Sequence, residues 1–100
     1  MKADKTEQTG AVNVTISIGD AIRKARSELS SLTGLELSST LKTLKEHDGW
    51  RVWIEMVEQH VVPNNMDILA TYEAVLDAQG NFVEFSRKGM RRRAETPAEE

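Results

Sequence analysis

Residues 49–80 read GWRVWIEMVEQHVVPNNMDILATYEAVLDAQG, two long β-patterned runs separated by a Pro-Asn-Asn break. A β-strand sends every second side chain to the same face, and Trp50, Val52, Ile54 and Met56 fall at that spacing in the first run. This row is uniformly apolar and is expected to meet a core. The alternate row, Arg51, Trp53, Glu55 and Val57, is mixed. In the second run, Asp67 to Leu76, the even positions Ile68, Ala70, Tyr72, Ala74 and Leu76 make the better core row, against Leu69, Thr71, Glu73 and Val75. Pro63-Asn64-Asn65 supplies the turn chemistry between the two runs. Asp77-Ala78-Gln79-Gly80 has the form of a type I turn with glycine in the left-handed bulge position, and it leads into a last strand from Asn81 to about Lys88.

Upstream, Asp48-Gly49 is a hairpin signal, because both central positions of a type I′ turn take positive φ. Leu35, Leu37 and Leu41 lie at multiples of two and suggest a strand reaching about Lys45. A short helix through Leu41 and Leu44 is the competing reading. Earlier still, Ser17 is placed to cap a helix, with Asp20 at the positive end of its dipole. Ile18, Ala21, Ile22, Ala25, Leu29 and Leu32 then share one helical face, while Arg23, Lys24, Arg26 and Glu28 face water. Gly34 stands where a left-handed residue would end the helix. The expected fold class is α+β, one N-terminal helix packed on an antiparallel sheet of three to four strands in an α-β-β-β-β meander. Residues 1–12 are expected to form a disordered arm, residues 13–93 a single domain, and residues 94–100 a disordered acidic tail.

A chain of 100 residues buries roughly two thirds of its unfolded surface, enough for one modest core. There is little room for a deep cleft. Hydrophobic residues at 39% and charged residues at 29% are ordinary for a soluble globular domain, and no apolar run approaches the roughly 20 residues of a membrane span. The N-terminal MKADKTEQTG carries no apolar core of a secretory signal. The absence of cysteine rules out disulfides and thiolate chemistry and fits a reducing cytoplasm. The net charge of −3 conceals an asymmetry: residues 87–93 hold five basic side chains and no acid, whereas residues 1–86 hold 8 basic and 13 acidic ones.

No catalytic constellation stands out. His47 and His60 lack metal-ligand spacing and read as solvated loop histidines. Glu55 and Glu73 fall on the mixed faces of neighbouring strands, where carboxylates can pair as acid and base but are more often simply exposed. Nothing in the chain calls for a cofactor. The basic run Arg87, Lys88, Arg91, Arg92 and Arg93 is a candidate contact for an anionic partner, protein or nucleic acid, or a solvated strand end. It lacks the interleaved aromatics that stack on bases. Trp53 marks a second candidate surface. With Trp50 in the core, Trp53 joins Val57, Leu69 and Val75 on the opposite face, rimmed by Arg51, Glu55 and Glu73. One helix cannot cover both faces of the sheet, so this face is a candidate for protein contact or self-association, unless the N-terminal arm or a loop covers it.

The order of these parts resembles the gas vesicle protein O family. The resemblance is carried by Trp50, Val52, Glu55 and Glu58, then Pro63, then Asp67, Leu69, Ala70, Tyr72 and Glu73, then Asp77 and Gly80, then Phe85, Arg87 and Arg91 to Arg93. Lys88-Gly89-Met90 stands where the family tends to carry arginine and tyrosine. The resemblance implies a non-enzymatic accessory protein needed for gas vesicle formation. Its partners would be other gas vesicle proteins, accessory or structural, with a homodimer through the open sheet face as a further possibility and no membrane involved. A cytoplasmic location, with or without attachment to the vesicle, goes with this. The alternative is a regulatory nucleic-acid-binding protein using Arg87 to Arg93.

Overall fold

The computed structural model describes residues 15–62 and 66–94, so the expected arm, the acidic tail and the Pro63-Asn64-Asn65 break lie wholly or largely outside the described residues. Helix α1, Ile18–Thr33, begins and ends as its sequence demands. The Ser17 hydroxyl accepts from the Asp20 amide at 3.1 Å, and Asp20 pairs with Arg23 one turn on. Gly34, at φ 73°, takes the left-handed conformation and returns its N–H to the Ser30 carbonyl. Ala21, Ala25 and Leu29 are buried. The small side chains of the two alanines let the helix axis lie close to the sheet. Ile18 and Leu32, the ends of the apolar stripe, are 53% and 57% exposed, so only the middle turns contribute to the core.

Four strands follow: β1 Glu36–Glu46, β2 Gly49–Gln59, β3 Ile68–Asp77 and β4 Phe82–Arg92. They form one antiparallel sheet in the order β1-β2-β3-β4, an uninterrupted meander. Residues 36–46 are therefore strand throughout, which excludes a helix at Leu41 and Leu44. Trp50, Val52, Ile54 and Met56 on β2 meet Ala70, Tyr72, Ala74 and Leu76 on β3 beneath Ala21, Ala25 and Leu29. Each fully buried Leu, Ile or Met of this set contributes about 1.5–3 kcal/mol.

The first hairpin forms where Asp48-Gly49 signals it, with its turn one residue earlier than expected. Glu46 pairs with Gly49, the turn consists of His47 and Asp48, and Gly49 does not have positive φ. Glycine is required there for another reason: a Cβ on Gly49 would lie 1.9 Å from the Leu76 carbonyl oxygen of the neighbouring strand. The second turn matches its expectation. Gly80 sits at φ 93°, and the Asp77 side chain accepts from the amides of Gln79 and Asn81 at 3.0 and 2.9 Å.

Strand β4 runs beyond the expected end at Lys88, through Arg92. Its register against β3 slips twice. Thr71 faces Gly89 but Tyr72 faces Arg87, which leaves Lys88 as an extra residue, and Val83 is extra in the same way nearer the turn. A bulge reverses the alternation of side chains beyond it. Arg87 and Arg91, four residues apart, thereby leave β4 on opposite faces of the sheet.

Candidate functional site

The face of the sheet away from α1 carries a charge network in place of an apolar patch. Glu73 on β3 is at its centre, accepting from the Trp53 indole N–H at 2.8 Å and bridging Arg51 at 3.1 Å and Lys88 at 3.7 Å. Arg51 also grips Glu46 through two bonds of 2.8 and 3.1 Å. The Lys42 ammonium stands 4.4 Å from the Trp53 ring centre, a cation–π contact. Arg91 lies opposite Leu69, yet its guanidinium reaches past β3 to Glu55 on β2, with bonds of 2.7 and 3.2 Å. Its stem must therefore lie over β3, and Val57 and Leu69 are only 4% and 1% exposed.

On the helix side the same reach recurs from the other direction. Arg87 spans β3 to grip Glu58 of β2 at 2.7 and 2.8 Å, and the Tyr72 hydroxyl donates to the same carboxylate at 2.9 Å. Two arginines of β4 thus clasp β3 from both faces, each anchored on the strand beyond. A third contact closes the end of the sheet. Buried Asp67 accepts from the Val61 amide at 2.8 Å and meets His60 at 3.1 Å and Arg93 at 3.4 Å, while the other His60 nitrogen meets Glu36 at 2.8 Å. Between the C-terminal end of α1 and β4 lies an open cavity of about 620 Å³, lined by Thr33, Leu35, Glu58, Ile68, Tyr72 and Met90.

These contacts set the ionisation of the groups. The Arg87 guanidinium holds the Glu58 carboxyl below its ordinary range. Burial pushes Glu73 upward, but the Trp53 N–H and the Arg51 and Lys88 charges outweigh it, and the net displacement is downward. Asp67 is lowered chiefly by the Val61 amide, and His60 is raised chiefly by Glu36 with Asp67 assisting. Burial raises the Tyr72 hydroxyl. Every one of these displacements favours the charge state that the pairing needs, and none produces a free base or acid poised for proton transfer.

Glu55 and Glu73 correct the reading of exposed strand carboxylates: they are 5% and 8% exposed, because long cationic side chains lie across them. His60 also departs from a merely solvated loop residue, since both ring nitrogens face carboxylates. The structure brings Arg51, Trp53, Glu73 and Lys88 into one cluster and Glu55 with Arg91 into another. Arg87 stands apart on the helix side, and Arg92 lies at the strand end opposite Ile68. Glu46, Glu58, Asp67, Tyr72 and Lys42 belong to the network but were not among the candidates. Among the described residues no group of three or more His, Cys, Asp or Glu is arranged to hold a metal, and no helix is long and apolar enough to cross a membrane.

A family model described as "Gas vesicle synthesis protein GvpO" matches residues 3–97. The chain belongs to the gas vesicle protein O family. It is 38% identical to a gas vesicle protein O of Streptomyces sp. (strain CB03234) over 66 residues, covering 66% of this chain and 52% of that protein. It is 34% identical to gas vesicle protein O of Haloferax mediterranei over 80 residues, covering 79% and 57%. Gas vesicle protein O1 of Halobacterium salinarum is 30% identical over 67 residues, covering 67% and 56%. The chain thus spans little more than half the length of these relatives, and no solved structure matches it. The protein is gas vesicle-related. Glu55, Glu58, Asp67, Tyr72, Glu73, Arg87, Lys88, Arg91 and Arg93 add side-chain contacts between β2, β3 and β4 and their ends to the backbone ladders.

Proposed function

We propose that this chain is a non-enzymatic accessory protein of gas vesicle formation that acts through protein–protein contacts during assembly. The observation that carries the reading is the family match over residues 3–97. The site geometry supports it. The side chains most suited to chemistry are bonded to one another across the sheet. Beside them Val83, Phe85 and Met90 of the edge strand β4 are 60%, 39% and 60% exposed. Exposed apolar groups beside charged ones on an accessible edge suit recognition of another protein better than turnover of a small molecule. Residues Arg51, Trp53, Glu55, Val57, Glu73, Arg87, Lys88, Arg91, Arg92 and Arg93 are retained as part of the contact region, with Val57 acting from beneath it.

A tagged pull-down from vesicle-forming cells, with nuclease treatment and a salt series, tests the reading. Enrichment of other gas vesicle proteins that survives nuclease is the expected result. Recovery of nucleic acid without any vesicle protein would overturn it in favour of the basic segment as a nucleic-acid site.

A further inference from the structure

Strand β4, like the other edge strand β1 and unlike β2 and β3, places no side chain in the buried core. Every side chain from Phe82 to Arg92 is exposed or half-exposed, and none belongs to the buried core. Two bulges interrupt its ladder with β3. Its longest-reaching side-chain anchors are ionic: Arg87 to Glu58, Lys88 to Glu73 and Arg91 to Glu55, with Arg93 to Asp67 just beyond the strand. The cationic members of these pairs are 30–49% exposed, so the pairs weaken as salt rises. An edge element with few buried apolar contacts opens at a lower free energy than the core does.

The two ends of β4 are not alike. Phe82 packs against the core, its ring 6.0 Å from that of Phe85, and the Asp77 turn that precedes it is firmly hydrogen-bonded. Opening from Arg93 toward Ser86 would therefore stop at the aromatic pair. It uncovers the backbone edge of β3 from Ile68 to Glu73. That edge is flanked by carboxylates on both sides: Glu55 and Glu73 on the open face, Glu58 on the helix face, Asp67 at the end. Unpaired N–H and C=O groups recognise any extended chain, and charges on both faces select which one.

We propose that the β3 edge from Ile68 to Glu73 is a seat for an extended arginine-bearing segment of a partner protein, filled in the resting chain by its own β4. The occupant carries cations on both faces of its strand, one for Glu58 and others for Glu55 and Glu73, and pairs its backbone with β3. This deepens the protein-contact reading above and rests on it. The basic run is then an internal placeholder for the ligand.

The test uses the full chain and, as probe, a labelled peptide with the sequence of residues 84–93, read by fluorescence anisotropy and by amide hydrogen exchange. The peptide is expected to bind saturably, to weaken about tenfold or more between about 50 and about 500 mM NaCl, and to strip protection from amides 86–92 while β2 stays protected. Arg91→Ala in the chain weakens the resident strand and should tighten peptide binding. Absence of binding at about millimolar peptide overturns the proposal. So does equal binding by a scrambled peptide of the same charge, or binding that leaves the exchange of amides 86–92 unchanged. The exchange measurement on the unaltered chain decides even if Arg91→Ala fails to fold: exchange of 86–92 only through global unfolding also overturns it. Vesicle proteins recovered in the pull-down alongside a negative peptide result would leave the protein-contact reading standing and remove only this seat.

Discussion

Replacing Arg91 with alanine should be among the most damaging single changes outside the apolar core. Glu55 is 5% exposed, and its carboxylate takes two bonds from Arg91 at 2.7 and 3.2 Å. Removing one partner of a fully buried pair costs about 3–5 kcal/mol, because the remaining charge stays desolvated, whereas exposed pairs cost about 0.2–1 kcal/mol. The Arg91 side chain is 30% exposed and is itself what covers Glu55, so its removal admits some water to the carboxylate and places Arg91→Ala between these limits, at about 2 kcal/mol. For a chain of this size that is a fall in Tm of about 8–16 °C. The matching bond on the helix side has side chains 42% and 22% exposed. Arg87→Ala should accordingly cost about 1 kcal/mol or less. Replacing both members of the inner pair with leucine should recover most of the loss, since neither charge is then left buried. Urea unfolding followed by the fluorescence of Trp50 and Trp53 measures the parent, these variants, Glu55→Ala and the double alanine at Glu55 and Arg91. Equal losses for Arg91→Ala and Arg87→Ala, or additive losses for Arg91→Ala and Glu55→Ala, would refute the claim that burial makes this pair dominant.

Stability should have a pH optimum with distinct causes on either side. The pKa of His60 is raised, so its contribution is complete below the ordinary histidine value of 6.5 and is lost as pH climbs through the raised value. Glu58, Asp67 and Glu73 are lowered, so their contributions are present above the ordinary carboxylate range and are lost as pH falls through the lowered values. Melting curves across pH should therefore fall on both limbs, and His60→Gln should flatten chiefly the alkaline one, with a smaller effect on the acid limb because His60 helps hold Asp67 down. Three glycine-to-alanine changes should rank by geometry. At Gly49 the new Cβ would strike the Leu76 carbonyl at 1.9 Å, costing about 3 kcal/mol or more. At Gly80 the φ of 93° and Ile16 at 2.9 Å predict about 1–2 kcal/mol, and at Gly89, with nothing within 4 Å, the change should stay under about 0.5 kcal/mol. Thermal melts of the three variants check the order.

The helix and the core rows were readable because each rests on a local rule. Ser17 and Gly34 bracket a 3.6-residue apolar period, and Trp50 to Met56 alternate without interruption, so short-range geometry suffices. The reach of Arg87 and Arg91 was not readable because of the bulge at Lys88. Without it, Arg87 and Arg91 share a face, and the basic run looks like one cationic patch available to a partner. With it, the run is divided between faces and each arginine finds a carboxylate two strands away. A one-residue register slip depends on tertiary pairing and leaves no local mark in FSRKGMRRR. Gly49 misled for a related reason. Glycine marks either a positive φ or a close approach, and only the position of Leu76 distinguishes them.

Because Glu55, Glu58, Asp67, Tyr72, Glu73, Arg87, Arg91 and Arg93 are engaged in contacts between strands, what they specify first is a strand pairing. Loss of function on changing Glu55, Asp67 or Arg91 would then report unfolding as readily as a lost contact. The separation has to come from positions that face outward without holding the sheet. Met90 is such a position: it is 60% exposed, lines the cavity beside the end of α1, and lies on the same strand as the ionic anchors. Met90→Ser removes apolar surface that the fold hardly buries, so the stability change should stay within about 0.5 kcal/mol. If β4 and its surroundings are where vesicle proteins dock, recovery of those proteins with the Met90→Ser chain should nevertheless fall. A chain that melts like the original and recovers its partners undiminished would move the contact away from this edge, to the exposed side of α1 or to β1.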